Sequence, residues 1–142
     1  MSAPSERQFA AVDATWDAVE REDRARLSAL ADEFVHPDCE WTPLVAGVDG
    51  RTYRGPEGMV AFFGEWLESF NPRYEDRRFE EIAENIVLAS CRMRVEGRES
   101  QVGIDREIAL VAVFDDYGLL RRGRAYDSRA AAVEGSRELL DA

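Results

Sequence analysis

The chain has 142 residues, 45% hydrophobic and 33% charged, which sets the expectation of one globular domain. Its 29 acidic against 18 basic side chains leave a net charge of -11, so phosphate backbones and anionic membrane surfaces are repelled, and neither nucleic acid nor membrane is an expected partner. All the basic residues are Arg and His36 is the single histidine, so Schiff-base chemistry, a P-loop lysine and multi-histidine zinc sites are excluded too.

The opening MSAPSERQ lacks the basic start and apolar stretch of a signal peptide, and no apolar run approaches the ~18 residues of a membrane span, so a cytoplasmic protein is expected. Over residues 5 to 22, Phe9, Val12, Trp16 and Val19 recur at helical spacing, and Ser5 with Gln8 has the capping-box arrangement. Asp23 is placed to cap a second helix with the stripe Leu27, Leu30 and Phe34. That helix is expected to end before His36-Pro37, because a residue preceding proline avoids the helical region.

CEWTPLV reads as a strand and AGVDGRTYRG as a Gly/Asp-rich loop. A third helix opens at Pro56, has Glu57 in its first turn, and carries Met59, Phe62, Phe63, Trp66, Leu67 and Phe70 before Asn71-Pro72 stops it. From about residue 74 the period changes to two. RRFEEIAE, NIVLASCRMRV, IDREIALVAVF and LLRRGRAY then read as a meander, with turn signals at Glu96-Gly97 and Asp115-Asp116-Tyr117-Gly118. EDRRFEE is expected to be a solvated edge strand, since inward charge there needs partners.

Ser128 is placed to cap a closing helix, SRAAAVEGSRELL, which Gly135 weakens. Cys39 and Cys91 have no CxxC spacing and are read as reduced, packed thiols, with a disulfide between them as the lesser alternative. The predicted fold class is α+β: a cone-shaped, curved antiparallel sheet wrapped around three N-terminal helices, with a short C-terminal helix, forming one domain over residues 1–142.

Three stretches in order, VEREDRARLSALADEFVHPDCEW, YRGPEGMVAFFGEWLESF and GLLRRGRAYDSRAAAVEG, resemble the SnoaL-like family of the nuclear transport factor 2-like (NTF2-like), ketosteroid isomerase-like fold. The match runs over roughly residues 8 to 136. The resemblance implies a pocket at the wide mouth of the cone and a homodimer through the outer sheet face. The isomerase's proton-abstracting Asp falls on Thr42, its oxyanion tyrosine near Thr15 or Trp16, and its protonated aspartic acid near Ala109 or Leu110. The Asp-Arg-Asp set of limonene epoxide hydrolase falls on Arg92 and Arg94, or on Cys91 and Met93 in the other register, with Ala125 at its last-strand Asp. None of these sets is matched. Polyketide cyclases use an Asp near that same Ala125, and Asp127 lies two residues further on the same strand face.

Four side chains are candidates for catalysis. Glu40 shares a strand face with Thr42 and, if that face points inward, is the best-placed carboxylate for a general base; on the other face it is a solvated residue. Asp127 is the shifted last-strand carboxylate. Asp38 closes a turn or takes part in chemistry, and His36 either binds the last helical carbonyls or acts near neutrality.

The aromatic and apolar residues Trp16, Phe34, Trp41, Met59, Phe63, Trp66, Met93, Leu110 and Ala125 are expected to line a pocket for a flat apolar ligand or to fill the core. Tyr53 is expected at the rim, and Arg121 is a candidate clamp for a ligand carboxylate, with Arg122 and Arg124 on the opposite face. No metal or cofactor is required. The expected function is binding of a small, moderately apolar molecule, with cofactor-free cyclisation or isomerisation by carboxylate-assisted proton transfer. The alternative is a non-catalytic ligand-sensing or dimerisation module.

Overall fold

The computed structural model describes residues 4–43, 52–98 and 103–141, without the side chains of 4, 140 and 141. Leu44 and Val45 of the first predicted strand and most of the Gly/Asp-rich loop lie outside these residues. The elements are α1 (Pro4–Glu20), α2 (Arg24–Phe34), β1 (Val35–Thr42), β2 (Tyr53–Arg54), α3 (Gly55–Ser69), β3 (Phe70–Ala83), β4 (Ile86–Gly97), β5 (Gly103–Phe114), β6 (Leu120–Tyr126) and α4 (Arg129–Asp141).

One six-stranded sheet runs in the order β2-β1-β6-β5-β4-β3. The expected meander from β3 to β6 is antiparallel throughout. The sheet as a whole is mixed, because β1 pairs with β6 in parallel. After β1 the chain crosses through α3 to the far edge and meanders back, so its last strand meets the first running the same way.

Several boundaries differ from the sequence expectation for local reasons. Ser5 lies inside α1 rather than capping it, and the Gln8 amide donates to Asn85 Oδ1 at 3.2 Å, so the capping box does not form. Asp23 caps α2 as expected, accepting from the Arg26 N–H at 3.0 Å. The chain enters β1 at once, so His36 opens a strand instead of closing a helix. Phe70 and Asn71-Pro72 start β3, where an edge position tolerates a proline that donates no ladder hydrogen bond. β4 runs on through Glu96-Gly97, so that turn signal marks the end of a strand.

The ladder between β3 and β4 slips between Glu75 and Arg78, where Asp76 takes a left-handed φ of 53°. This bulge lets both Tyr74 and Phe79, five residues apart, pack into the core. It also sends Arg77 onto α1, where it meets Asp13 at 2.9 Å, Asp17 at 2.8 Å and Glu20 at 3.2 Å. The charged run is thus an edge strand, and its one inward cation has partners.

The two sheet faces have different cores. On the inner face α1, α2 and α3 pack against Cys39, Trp41, Tyr74, Cys91, Met93 and Leu110. On the outer face Ala132, Val133 and Leu139 of α4 cover Ile86, Leu88, Ala109 and Val111. Ser128 caps this helix, its Oγ accepting from the Ala131 N–H at 3.1 Å.

Gly135 has a packing reason: a Cβ there would lie 2.3–2.5 Å from the Tyr126 ring and hydroxyl. Gly135→Ala is therefore expected to lower the thermal midpoint. Overpacking costs ~1–3 kcal/mol and exceeds the ~1 kcal/mol helix-propensity gain. A raised midpoint in a melting curve would show that Tyr126 yields freely. Beyond α4, the outer face is charged and paired across strands, with Arg92 to Asp105 at 2.6 Å and Arg94 to Glu75 at 3.7 Å.

Candidate functional site

Between the three early helices and the inner sheet face lies an open cavity of about 360 Å³, within the ~300–1,000 Å³ range of small-molecule sites. Helical spacing delivers Val12 and Trp16 from α1, Leu27, Leu30 and Phe34 from α2, and Met59, Phe63 and Trp66 from α3. The sheet adds Trp41, Tyr74, Met93, Leu110 and Ala125 by strand alternation. The rings brace one another instead of filling the space: Trp16 stacks on Tyr74 at 5.4 Å and 14°, and Trp66 packs on Phe70 at 4.6 Å. Trp41 lies against Gly123, where a Cβ would come within 2.7 Å of its ring, so a glycine in β6 gives the indole its room.

Polar groups in this wall are few. Thr15 Oγ1 donates back to the Ala11 carbonyl at 2.8 Å. Burial pushes the Tyr74 phenol well above its ordinary range, with Cys91 adding to the rise and the Trp66 indole N–H opposing it. The buried Trp41 Nε1 has no hydrogen-bond partner among the described residues. Arg106 is the only charged residue in the described lining, which contains no Asp, Glu or His.

Of the pocket residues expected from sequence, Trp16, Phe34, Trp41, Met59, Phe63, Trp66, Met93, Leu110 and Ala125 line this cavity. Tyr53 and Arg121 do not. The Tyr53 hydroxyl donates to Glu65 Oε2 at 3.1 Å and its ring packs on Phe62, which turns it away from the cavity. Arg121 sits where the β5–β6 ladder slips, exposed, with Nη1 2.8 and 3.0 Å from the two ring nitrogens of His36.

The four catalytic candidates are outside the lining as well. In β1 the inward positions fall to Cys39 and Trp41, so Glu40 turns outward, 53% exposed and 3.8 Å from Arg54. Asp127 is 61% exposed at the end of β6, 3.9 Å from Arg106. Asp38 is exposed, and its N–H donates to His36 Nδ1 at 2.9 Å, which ties the imidazole into the strand entry. Glu40 thus takes the solvated face of its strand, the second of its two expected placements, and none of the four candidates stands in the described lining.

Tyr74 and Arg106 are polar wall residues that sequence reasoning missed, along with apolar ones such as Phe62, Phe70 and Phe114. Tyr74 fell before the predicted start of its strand. Arg106 carried a visible signal, since it alternates with Ile104 and Ile108 and so shares their inward face.

Both thiols are free and buried in the core, and burial pushes each from 9.0 up to about 12. Neither is expected to react with a thiol-exchange reagent at pH 8 until denaturant is added; rapid labelling of the native chain would contradict the packing. The raised values also set a pH dependence. Both thiols stay neutral in the folded and unfolded chain below about 9, so their contribution is intact there. Above 9 the unfolded chain loses these protons first, and stability is expected to fall until about 12, readable as a declining denaturation midpoint.

No protein-family model and no curated protein matches the chain by sequence. Solved structures do match in shape. A candidate polyketide cyclase from Xanthomonas campestris is 15% identical with a TM-score of 0.71, the match covering 93% of this chain and 98% of that one. An NTF2-like protein of unknown function from Burkholderia pseudomallei is 19% identical with a TM-score of 0.68, covering 94% and 97%. A Mycobacterium tuberculosis protein crystallised with estradiol-17β-hemisuccinate is 18% identical with a TM-score of 0.66, covering 91% and 97%. The chain has the NTF2-like cone fold that the sequence resemblance implied. No described helix is long and apolar enough to cross a membrane.

Proposed function

We propose that the chain is a binding protein for a small, flat, apolar organic molecule held in the cone. The observation that carries this reading is the cavity itself: it stays open among three indoles and several phenyl rings, and its described walls are almost wholly apolar. Removing such surface from water is the main driving force available to the site. Proton-transfer chemistry is the weaker reading, because Glu40 and Asp127 stand in solvent and the described walls offer no carboxylate or imidazole. The Mycobacterium tuberculosis neighbour, crystallised with estradiol-17β-hemisuccinate, supports a ligand-holding use of the same cone.

Titration with the neutral fluorophore N-phenyl-1-naphthylamine tests the reading. Saturable one-to-one binding, with quenching of tryptophan emission, is expected from a probe lying beside Trp16, Trp41 and Trp66. A linear, non-saturating signal would overturn it. A second copy docked on the charged part of the outer face belongs to the same proposal and rests on the sequence resemblance. Sedimentation velocity is expected to show the dimer mass, and a monomer at all concentrations would remove it.

A further inference from the structure

Resting on that reading, we infer that the ligand carries an acidic group at one end and that Arg106 receives it. Arg106 lies on the inner row of β5 between Ile104 and Ile108, opposite Met93 in the β4 ladder. Arg106 keeps water while the cone is open, but a ligand that covers its guanidinium has to offer an anion, because removing that charge from water unpaired is costly. Three arginines outside the cavity have close carboxylates, Arg92 at 2.6 Å from Asp105, Arg129 at 2.9 Å from Glu80 and Arg77 at 2.8 Å from Asp17, while Arg54 and Arg94 are as loosely paired as Arg106 but lie outside the cavity lining. Among the described residues the carboxylate beside Arg106 is that of Asp127, at 3.9 Å, beyond hydrogen-bond distance and 61% exposed.

Its side chain lines the cavity and is 45% exposed, so its planar fork of donors is reachable by a carboxylate or an acidic phenol. The described walls hold no carboxylate to repel that anion. A ligand with an aromatic body among the indoles and an anionic end at Arg106 satisfies both parts of the cavity. Asp127 then has a different role from the acid or base expected of it: it competes weakly for the same guanidinium.

The test displaces bound N-phenyl-1-naphthylamine with 2-naphthoate and with 2-naphthamide, which share a ring system and differ in charge. Wild type is expected to prefer the carboxylate by about tenfold, the scale of a charge-assisted, partly solvated hydrogen-bonded pair. Arg106→Gln is expected to abolish that preference, with its circular dichroism unchanged. Asp127→Asn is expected to tighten 2-naphthoate about twofold to threefold by removing the competing carboxylate. Equal displacement by the two compounds, or a preference that survives Arg106→Gln, overturns the inference while leaving the cavity reading intact. Failure of the fluorophore itself to bind overturns both.

Discussion

Arg77→Met is expected to destabilise the fold by about 3 kcal/mol, measured as a shift in the urea midpoint at constant slope. The guanidinium is only 15% exposed and meets Asp13, Asp17 and Glu20 together. Its Nε–H donates to the Tyr74 carbonyl at 2.9 Å, and the group lies 5.9 Å from the Trp16 ring. Methionine retains the apolar stem but leaves three carboxylates facing one another along α1. Asp13 and Asp17 are nearly half exposed and regain water, which holds the loss near the lower end of the ~3–5 kcal/mol found for broken buried pairs. Arg92→Met makes the contrast: its pair with Asp105 is short but solvated, and the expected shift of the midpoint is small beside that of Arg77→Met. Equal midpoints for the two variants would show that Arg77 does not tie α1 to the bulged edge strand.

Ala125→Trp is expected to abolish fluorophore binding while the chain stays folded. Ala125 lies on β6 beside Leu110 and is half-buried at the cavity wall, so an indole there projects into open space instead of into packed core. The stability change is expected to stay within the ~1–3 kcal/mol of a small overpacking, and the binding loss to exceed about a hundredfold. Undiminished binding with native circular dichroism would place the ligand elsewhere.

Much of this architecture was legible in the sequence, and the failures have specific causes. Helical spacing marked the apolar stripes of α1 to α3, and the period-two segments marked the meander, because burial of one face imposes those periods directly. What period two leaves undecided is which face is inner. Glu40 and Trp41 were both candidates for the site, yet neighbours on one strand point to opposite faces, and burying the indole takes the carboxylate out.

Bulges erased other signals. The slip at Asp76 changed which residues of β3 share a face, hiding Tyr74, and the slip in the β5–β6 ladder carried Arg121 to the His36 side of the rim. Gly135 was read as a helix defect because propensity is local, whereas the Tyr126 ring that needs its space arrives from β6. The inward cation of β5 was legible in IDREIAL all along, as the one charged member of an isoleucine row.

The most direct measurement is anomalous diffraction from crystals soaked with 2-iodonaphthalene. An iodine peak inside the cone, within contact of Trp16, Trp66, Met93 or Leu110, is the result this account predicts. Full occupancy on the outer face, or an unoccupied cone with its aromatic side chains collapsed into the space, would contradict it.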